Sequence, residues 1–377
     1  MTNELKTYQQ INCKKFNGYK PCEPYKKCPC DEKEPFGVTV LIINLDFIGD
    51  VLMTTALLPA IKREYPDSTI HWITRKNAIP VLENNPLIFK VWEWNSENRM
   101  ILQEMEFDLV LNGDKNSDSS AFIMTINSRA RRGFGLNKYG AVIPLNKGAL
   151  YNFKMGLDDE LKFKKNKRTG LDILAETWHL DYRNDEYILE LTEKEIKFSE
   201  DYKKSLGIKD EMVVGFNTGC SNAFPLKKMT IDQHAELIER IHKSMKNVRV
   251  ALLGGREDTE RNRGIAQKVS VPVIETPTTE GLRKGILYEN ICDVIVSGDT
   301  LGMHIGIALK KYVVAWFGIS CGVEIELFGR GEKILSELDC SPCWKKTCDN
   351  PRCINELDLD RIFGSIYKYY DEFINRQ

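Results

Sequence analysis

Two successive series of short β-branched runs, each alternating with helical stretches, constrain the fold of this chain most strongly. The runs of the first series are residues 38–44, 68–74, 89–94 and 107–112, and those of the second are 212–217, 248–254, 271–275, 292–298 and 312–318. Runs such as VTVLIIN are apolar at consecutive positions, which is typical of strands buried on both faces of a parallel sheet. The sequence therefore predicts an α/β protein with two Rossmann-like halves, each built from βαβ units.

The chain around these series divides into four predicted segments. A charged, helical stretch separates the two series, so we expect the halves to be joined near residues 195–210. The segments are a cysteine-rich N-terminal extension (1–37), an N-terminal Rossmann-like domain (38–195), a C-terminal Rossmann-like domain (211–339) and a cysteine-rich loop with a C-terminal helix (340–377). Two facing domains of this kind leave a cleft at the carboxyl ends of their strands, where open parallel sheets bind ligands.

Composition argues against two classes of function. The 53 basic residues are balanced by 54 acidic ones, so binding to nucleic acid by bulk charge is not indicated, and the basic clusters at 129–132 and 162–168 are interpreted as solvated faces. No apolar run approaches the roughly 20 residues needed to span a bilayer, and the polar N-terminus does not resemble a secretory signal. We therefore expect a cytoplasmic protein, for which peripheral contact with the inner membrane surface is compatible.

The loops after two strands of the second series have the residue types of a phosphate and ribose site. Thr218 and Gly219 offer a hydroxyl and a backbone without Cβ, which a phosphate can approach closely. Lys227 could neutralise a diphosphate, and Glu257, after the next strand, is suited to ribose hydroxyls. Each residue alone is equally typical of a turn or an exposed surface, but their positions at successive strand ends favour a nucleotide site.

The segment SGDTLGMHIGIAL, residues 297–309, is the most informative junction between a strand and a helix. Asp299 can accept hydrogen bonds from sugar hydroxyls, and Thr300 and the helix N-terminus can donate to a phosphate oxygen. Gly302 and His304 follow at the start of the helix and are assigned to the same donor side. The structural alternatives are that Asp299 caps the helix and that His304 is a packed core histidine.

Gly49 and Asp50 stand at the corresponding junction of the first series, where the strand at 38–44 gives way to a helix. A carboxylate at the start of a helix stabilises it, or it can take part in chemistry at the mouth of the cleft. Pro59 lies within the same helical stretch and should divide it into two pieces.

Four stretches in register resemble glycosyltransferase family 9, whose best-known members are the ADP-heptose heptosyltransferases of lipopolysaccharide core synthesis. The stretches are NLDFIGDVLMTTALLPAIKREYPDSTIHWIT, NTGC with FPLKKMT, LLGGRED and SGDTLGMHIGIALKKYVVAWFG. The resemblance covers about residues 38–355. It implies a GT-B architecture, with acceptor bound mainly by the N-terminal domain and nucleotide-sugar by the C-terminal one, and inverting transfer that needs no metal.

The resemblance also implies roles for individual residues. Asp50 matches the family's general base, and Gly49 beside it lies on the acceptor side. Lys227 matches the lysine that contacts the donor phosphates, and Glu257 the acidic residue near the donor ribose. The donor-side residues are Thr218, Gly219, Lys227, Glu257, Asp299, Thr300, Gly302 and His304.

The expected reaction moves a heptose from ADP-heptose to a hydroxyl of a cell-envelope glycan such as lipopolysaccharide core. Because a sugar hydroxyl is a poor nucleophile, Asp50 would accept its proton, while Lys227 would stabilise the departing diphosphate as a divalent cation does elsewhere. The expected partners are a nucleotide-sugar donor and a glycan, glycolipid or protein acceptor, with no cofactor required. An autotransporter-type protein O-heptosyltransferase is the alternative within the family.

Eight of the eleven cysteines lie in two clusters outside the predicted sheets. The clusters are Cys340, Cys343, Cys348 and Cys353, with C-x2-C-x4-C-x4-C spacing, and Cys13, Cys22, Cys28 and Cys30, with looser spacing. Four thiols in one short loop suit zinc or iron, so both clusters are candidate structural metal sites, the N-terminal one with less diagnostic spacing; reduced structural cysteines are the alternative. Disulfides are not expected in a cytoplasmic protein.

Two functions from other classes compete with glycosyl transfer. A nucleotide-dependent iron–sulfur oxidoreductase would explain Rossmann-like halves together with cysteine clusters, but LDFIGD replaces the expected G-x-G-x-x-G after the first strand. A non-catalytic nucleotide-sugar-binding protein would have little need to keep Asp50, Lys227 and Asp299 together.

Overall fold

A computed structural model describes residues 2–221 and 223–376 and contains two six-stranded sheets. The strands of the first sheet are β1 (Thr39–Ile43), β2 (Thr69–Thr74), β3 (Lys90–Glu93), β4 (Glu106–Asn112), β5 (Asn127–Leu136) and β6 (Val142–Pro144). Those of the second are β7 (Met212–Asn217), β8 (Val248–Leu253), β9 (Ile274–Glu275), β10 (Val294–Gly298), β11 (Tyr312–Phe317) and β12 (Gly331–Leu335). The predicted pair of α/β halves is confirmed.

The two sheets share one strand order. The first runs β3-β2-β1-β4-β5-β6 and the second β12-β11-β10-β7-β8-β9, which is the same order when each sheet is numbered from its own first strand. All pairings are parallel except that of β5 with β6. In both sheets, therefore, the chain reverses its direction of winding beside the first strand, between β1 and β4 and between β7 and β10. Ligands bind at such switch points, outside the carboxyl ends of the strands.

Helices cover the faces of both sheets. The α-helices are α1 (Thr2–Gln9), α2 (Ile48–Thr54), α3 (Leu58–Glu64), α4 (Ser96–Glu104), α5 (Ser117–Thr125), α6 (Ala149–Met155), α7 (Gly170–Trp178), α8 (Glu193–Ser205), α9 (Ile231–Ser244), α10 (Thr259–Lys268), α11 (Leu282–Glu289), α12 (Leu301–Ala308), α13 (Arg352–Asn355) and α14 (Leu359–Ile374). Within the described residues, no helix is long and apolar enough to cross a membrane.

The helical stretch after β1 is divided as its proline predicts. Helix α2 is followed by a single 3-10 turn, Thr55–Leu57, and then by α3, in which Pro59 occupies the first turn. A proline is tolerated there because its missing N–H would have no partner within the helix. The break limits α2 to seven residues.

Polar contacts join the halves in several places. Arg283 of α11 forms an ion pair of 2.7 Å with Glu195 of α8 and donates to the Pro80 carbonyl of the first half at 3.0 Å. Arg330 of the second half pairs with Glu186 of the first at 2.7 Å. Lys164 donates to the carbonyls of Asp339 and Ser341 at 3.1 Å each. Helix α14 packs on α9, β11 and β12, so the chain ends against the second half.

Three of the strands, β5, β6 and β12, and part of the basic sequence differ from expectation. The cluster at 129–132, interpreted as a solvated face, lies within β5, where Arg131 and Arg132 donate to backbone carbonyls while Arg129 stays exposed. The cluster at 162–168 is likewise only partly solvated, because Lys164 bonds across the cleft. Strand β12 also carries no apolar run that would mark it.

Candidate active site

The candidate site lies where the switch points of the two sheets face each other. On the first side, the chain leaves β1 at Asn44 and enters α2, which carries Asp50 in its first turn. On the second side, it leaves β10 at Gly298 and enters α12, with Asp299 and Thr300 between them. Helices α2 and α12 are in contact, so the two strand–helix junctions predicted from sequence meet across the cleft.

Lys227 and Asp299 form a partly buried ion pair on the second side. The Lys227 Nζ lies 2.7 Å from Asp299 Oδ2, with both side chains about one-eighth exposed. A Cβ on Gly298 would stand 2.2 Å from the Lys227 carbonyl oxygen, so only glycine lets the Pro225–Lys227 turn lie against the end of β10. Burial alone would raise the pKa of Asp299, but the Lys227 ammonium outweighs it and lowers that pKa.

Asp50 lies on the first side and is the third residue of α2, not its cap. The N-cap position is Phe47, and the Asp50 carboxylate has no hydrogen bond to any residue that the structure describes. Burial, followed by the negative charges of Asp299 and Asp46, raises the pKa of Asp50 to about 7. An unpaired carboxyl with a pKa near neutrality is suited to accept a proton from a bound hydroxyl.

The loop residues predicted to hold phosphate and ribose are not all available to a ligand in the structure. The Thr218 hydroxyl is buried and bonded to the Asn262 side chain, and a Cβ on Gly219 would clash with the Asp258 carboxylate. Glu257 is exposed in the 3-10 turn Arg256–Asp258, just before α10. Their roles toward a donor stay predictions, and the geometry leaves the Thr218 hydroxyl engaged within the protein.

Thr300 and Gly302 are held close to the end of β7. The Asn217 amide donates to Thr300 Oγ1 at 2.6 Å and to Ser297 Oγ at 3.1 Å. A Cβ on Gly302 would lie 2.4 Å from Asn217 Cγ, so the first turn of α12 needs a glycine to approach β7. Asn217, which the sequence reasoning did not single out, thus fixes the position of the α12 N-terminus.

His304 joins the two halves of the protein. Its buried imidazole stacks on Tyr187 and has Nδ1 3.4 Å from the Tyr187 hydroxyl, and burial lowers its pKa to about 4. A Cβ on Gly49 would stand 2.5 Å from His304 Cδ2. His304 is therefore a neutral side chain against which the first turn of α2 packs, in agreement with the core-histidine alternative, while contact with a donor stays a prediction.

Gly49→Ala should destabilise the protein, because the added methyl group must displace the His304 ring from a closely packed contact. Overpacking of this kind costs about 1–3 kcal/mol, measurable as a lower midpoint of urea unfolding. Gly364→Ala in α14 is the matched control. A Cβ there meets nothing within 4 Å, and alanine at a compatible helical site stabilises by roughly 0.4–1 kcal/mol. Equal effects of both variants would contradict the packing assigned to Gly49.

A polar cavity beside Asp50 contains residues that the sequence reasoning missed. The lining residues outside the predicted set include Asn44, Asp46, Asp114, Lys115, Lys162 and Glu324. The Asn44 amide donates to Asp114 at 2.7 Å, and burial, followed by the charge of Lys162, lowers the pKa of Lys115 to about 8. Asp114 and Lys115 directly follow β4, so the strand-end rule that found Asp50 could also have found them.

A model of glycosyltransferase family 9 (heptosyltransferase) matches residues 99–354, about two-thirds of the chain. The chain belongs to glycosyltransferase family 9. This confirms the resemblance seen in the sequence and identifies the protein as a glycosyltransferase.

Relatives of this family 9 enzyme agree with that assignment. Lipopolysaccharide heptosyltransferase 1 of Campylobacter coli is 24% identical over 305 residues, which cover 74% of this chain and 83% of the relative. A glycosyltransferase family 9 structure from Veillonella parvula superposes with a TM-score of 0.71 at 17% identity, covering 89% and 98% of the two chains. The ADP-heptose lipopolysaccharide heptosyltransferase II structure of E. coli gives 0.65 at 16% identity, covering 89% and 99%. The two structures confirm the expected GT-B-like fold.

Within the residues that the structure describes, neither cysteine cluster is arranged as a metal site. All eleven cysteines are free. Burial, followed by the neighbouring thiols of its own cluster, raises the pKa of Cys353, so the C-terminal four lie near one another. Across residues 2–221 and 223–376, however, no group of three or more His, Cys, Asp or Glu side chains is arranged to hold a metal ion. Zinc or iron at either cluster stays a prediction for metal analysis of the purified protein.

Proposed function

We propose that this enzyme transfers a heptose from ADP-heptose to a hydroxyl of lipopolysaccharide core, with inversion at the anomeric carbon. The observation that carries the proposal is the opposition of an unpaired carboxyl, Asp50, to the Lys227–Asp299 pair across the cleft. A base on one wall and a cation on the other match a reaction that removes a proton from one substrate and releases an anion from the other.

Asp50 acts as the general base in this proposal. As the acceptor oxygen attacks the anomeric carbon, its proton passes to an Asp50 carboxylate oxygen, and the bond from that carbon to the diphosphate oxygen breaks. Attack from the face opposite the leaving group inverts the anomeric configuration. The raised pKa makes Asp50 a stronger base than an exposed aspartate, because burial, followed by the charges of Asp299 and Asp46, disfavours its negative charge.

Lys227 stabilises the electron pair that departs with the diphosphate. It is held beside Asp299, and the N-terminus of α12 adds backbone N–H groups at the same place. The charge needed at the leaving group can thus come from the protein, so we propose that transfer needs no divalent cation. Closure of the two halves would exclude water, which competes with the acceptor.

The choice of heptose and lipopolysaccharide rests on the relatives. The Campylobacter coli protein is a lipopolysaccharide heptosyltransferase and the E. coli structure is an ADP-heptose lipopolysaccharide heptosyltransferase. The cavity beside Asp50 carries Lys115 and Lys162 together with carboxylates such as Glu324, and these polar groups suit the hydroxyls of a glycan. A cytoplasmic location with contact to the inner membrane stays a prediction.

The direct test is to incubate the purified enzyme with ADP-heptose and heptose-deficient lipopolysaccharide core in the presence of EDTA. We expect a new glycosidic bond whose anomeric configuration, read by NMR, is opposite to that of the donor. ADP-glucose and UDP-glucose serve as donor controls, and a serine-containing peptide serves as the acceptor control. Transfer to the peptide alone would replace the proposed acceptor, and binding without transfer to any acceptor would contradict an enzymatic role.

The rate should depend on pH through Asp50. Because only the ionised carboxylate can accept a proton, a pKa of about 7 predicts that kcat/KM falls about tenfold per pH unit below pH 7 and levels off above it. The decrease below pH 7 follows from the raised pKa. With an ordinary aspartate as the base, kcat/KM would not change with pH until about pH 4. A profile of kcat/KM from pH 5 to 9 checks this, and a flat profile across pH 5–8 would contradict a general base with a pKa near 7.

A further inference from the structure

The cysteine-rich loop brings one aromatic residue, Trp344, into the cleft beside the site. Its indole ring lies under two ammonium groups, with Lys227 Nζ 4.5 Å and Lys162 Nζ 4.7 Å from the ring centroid. Lys227 belongs to the second half and Lys162 to the first. Trp344 therefore contacts a cation from each wall of the cleft.

The surrounding contacts fix the indole in that position. Phe224 packs edge-on against it, with ring centroids 5.2 Å apart, and Phe224 also lies 5.2 Å from the Lys227 ammonium. The backbone N–H groups of Cys343 and Trp344 both donate to the Ile319 carbonyl, at 3.0 and 2.8 Å. The loop is thus attached just beyond the end of β11, next to Ser320, which contributes to lowering the pKa of Asp299 after the larger effects of burial and Lys227.

The backbone of Trp344 is strained. Its φ is +53°, in the left-handed region that bulky residues rarely adopt. Folded proteins retain such conformations where the surrounding contacts hold them, and functional sites are where they concentrate. This backbone conformation places the indole ring beside the Lys227 ammonium. Glycine at the same position would relieve the strain but would provide no ring.

We propose that Trp344 is a positioning residue that holds the Lys227 ammonium for the donor diphosphate. An aromatic face attracts an ammonium group without forming a hydrogen bond to it, so the Lys227 N–H groups not engaged by Asp299 stay free to donate to phosphate oxygens. The proposal rests on the proposed function, which gives Lys227 its phosphate partner. It makes the cysteine-rich loop a part of the catalytic cleft, and Trp344 acts there through Lys227.

The test is a double-mutant cycle of Trp344→Leu with Lys227→Met, read as the dissociation constant of ADP by calorimetry. Trp344→Leu alone should weaken ADP binding by roughly 3- to 30-fold, the range of cation–π contacts at exposed to desolvated sites. In the Lys227→Met background the same change should have almost no further effect, because its target is gone. Trp344→Phe, which keeps an aromatic face, should recover most of the affinity.

Two controls separate positioning from a structural role. Lys346→Met removes an exposed cation 5.7 Å from the Phe224 ring, two residues further along the same loop, and should leave ADP binding unchanged. Thermal unfolding of each variant shows whether the substitution has damaged the loop. If Trp344 acts by positioning Lys227, the ADP affinities of the Trp344→Leu and Trp344→Phe variants should differ more than their unfolding temperatures do. Equal losses from Trp344→Leu in both backgrounds would overturn the proposal, since the indole would then act independently of Lys227.

Failure of the proposed function would look different. If Lys227→Met itself left ADP binding unchanged, the phosphate role of Lys227 would be wrong, whatever Trp344 did. If wild-type protein did not bind ADP, the proposed donor would be wrong, and the same cycle with inorganic pyrophosphate would still decide whether Trp344 acts through Lys227. If Lys227→Met weakened binding and Trp344→Leu did not, only the inference about Trp344 would fall.

Discussion

Asp50→Asn is expected to lower kcat by about 10²- to 10⁴-fold while leaving the affinity for ADP within about threefold of wild type. The amide has nearly the shape of the carboxyl but cannot accept a proton from the acceptor hydroxyl. Donor binding should survive because Lys227 and the α12 N-terminus lie on the other wall of the cleft. Steady-state transfer assays and calorimetry with ADP measure the two quantities separately.

The same substitution, which lowers kcat, should raise the stability of the folded protein. Asp50 has a pKa of about 7 in the folded protein and about 4 when unfolded, so the folded state binds more protons between these values and loses stability as the pH rises. At pH 8 the asparagine variant should therefore be more stable than wild type by roughly 1–2 kcal/mol, since solvent in the cleft screens the carboxylate. At pH 5, where Asp50 is protonated when folded, the gain should shrink.

Asp67→Asn is the matched control for charge removal, because Asp67 is an exposed aspartate in the turn before β2. It should change neither kcat nor the pH dependence of stability. Unchanged turnover in Asp50→Asn would contradict the assignment of the general base. Loss of turnover together with lower stability at pH 8 would instead indicate that Asp50 has a structural role in the first turn of α2.

The parts of the fold that sequence predicts well are those buried on both faces. Strands such as β1 and β7 consist almost entirely of apolar residues because helices cover both sides of a parallel sheet. The carboxyl ends of β1 and β10 then locate Asp50 and Asp299, which is why residues far apart in sequence could be assigned to one cleft. The predicted division of the helix at Pro59 follows equally from local backbone chemistry.

The elements that sequence reasoning missed lack that pattern. Strand β5 lies between β4 and the short edge strand β6, and it contains Arg129, Arg131 and Arg132, two of which bond to carbonyls of neighbouring segments. Strand β12 is also only partly buried. Periodicity records burial, so it does not register strands that are charged and only partly buried.

The site residues that were missed divide in the same way. Asp46 and Asp114 follow strands β1 and β4 and could have been found by the rule that found Asp50. Lys162 and Trp344 come from irregular segments of opposite halves, and only the folded cleft brings them together. The spacing of the cysteines around Trp344 suggested a metal site. In the folded protein, the residue of this loop that contacts Lys227 and Lys162 is Trp344.

Lys227→Met should lower both donor affinity and turnover, with a decrease of about 10²- to 10³-fold in kcat, the range found when one preorganised group that stabilises developing charge is removed. The side chain keeps its length and apolar stem but loses the ammonium that faces the departing diphosphate. Transfer assays at saturating donor give the effect on kcat, and calorimetry with ADP gives the effect on binding. An unchanged kcat would contradict the role assigned to Lys227.

The variant should also be less stable than wild type, because it leaves the buried Asp299 carboxylate without its partner. Both side chains of the pair are about one-eighth exposed, and removing one partner of a buried pair costs about 3–5 kcal/mol. Adding Asp299→Asn should restore much of that stability, since the unpaired charge disappears. It should not restore turnover, because the cation at the leaving group is still absent. Recovery of both would mean that Lys227 serves only to neutralise Asp299, and recovery of stability alone would separate the catalytic charge from the structural pair.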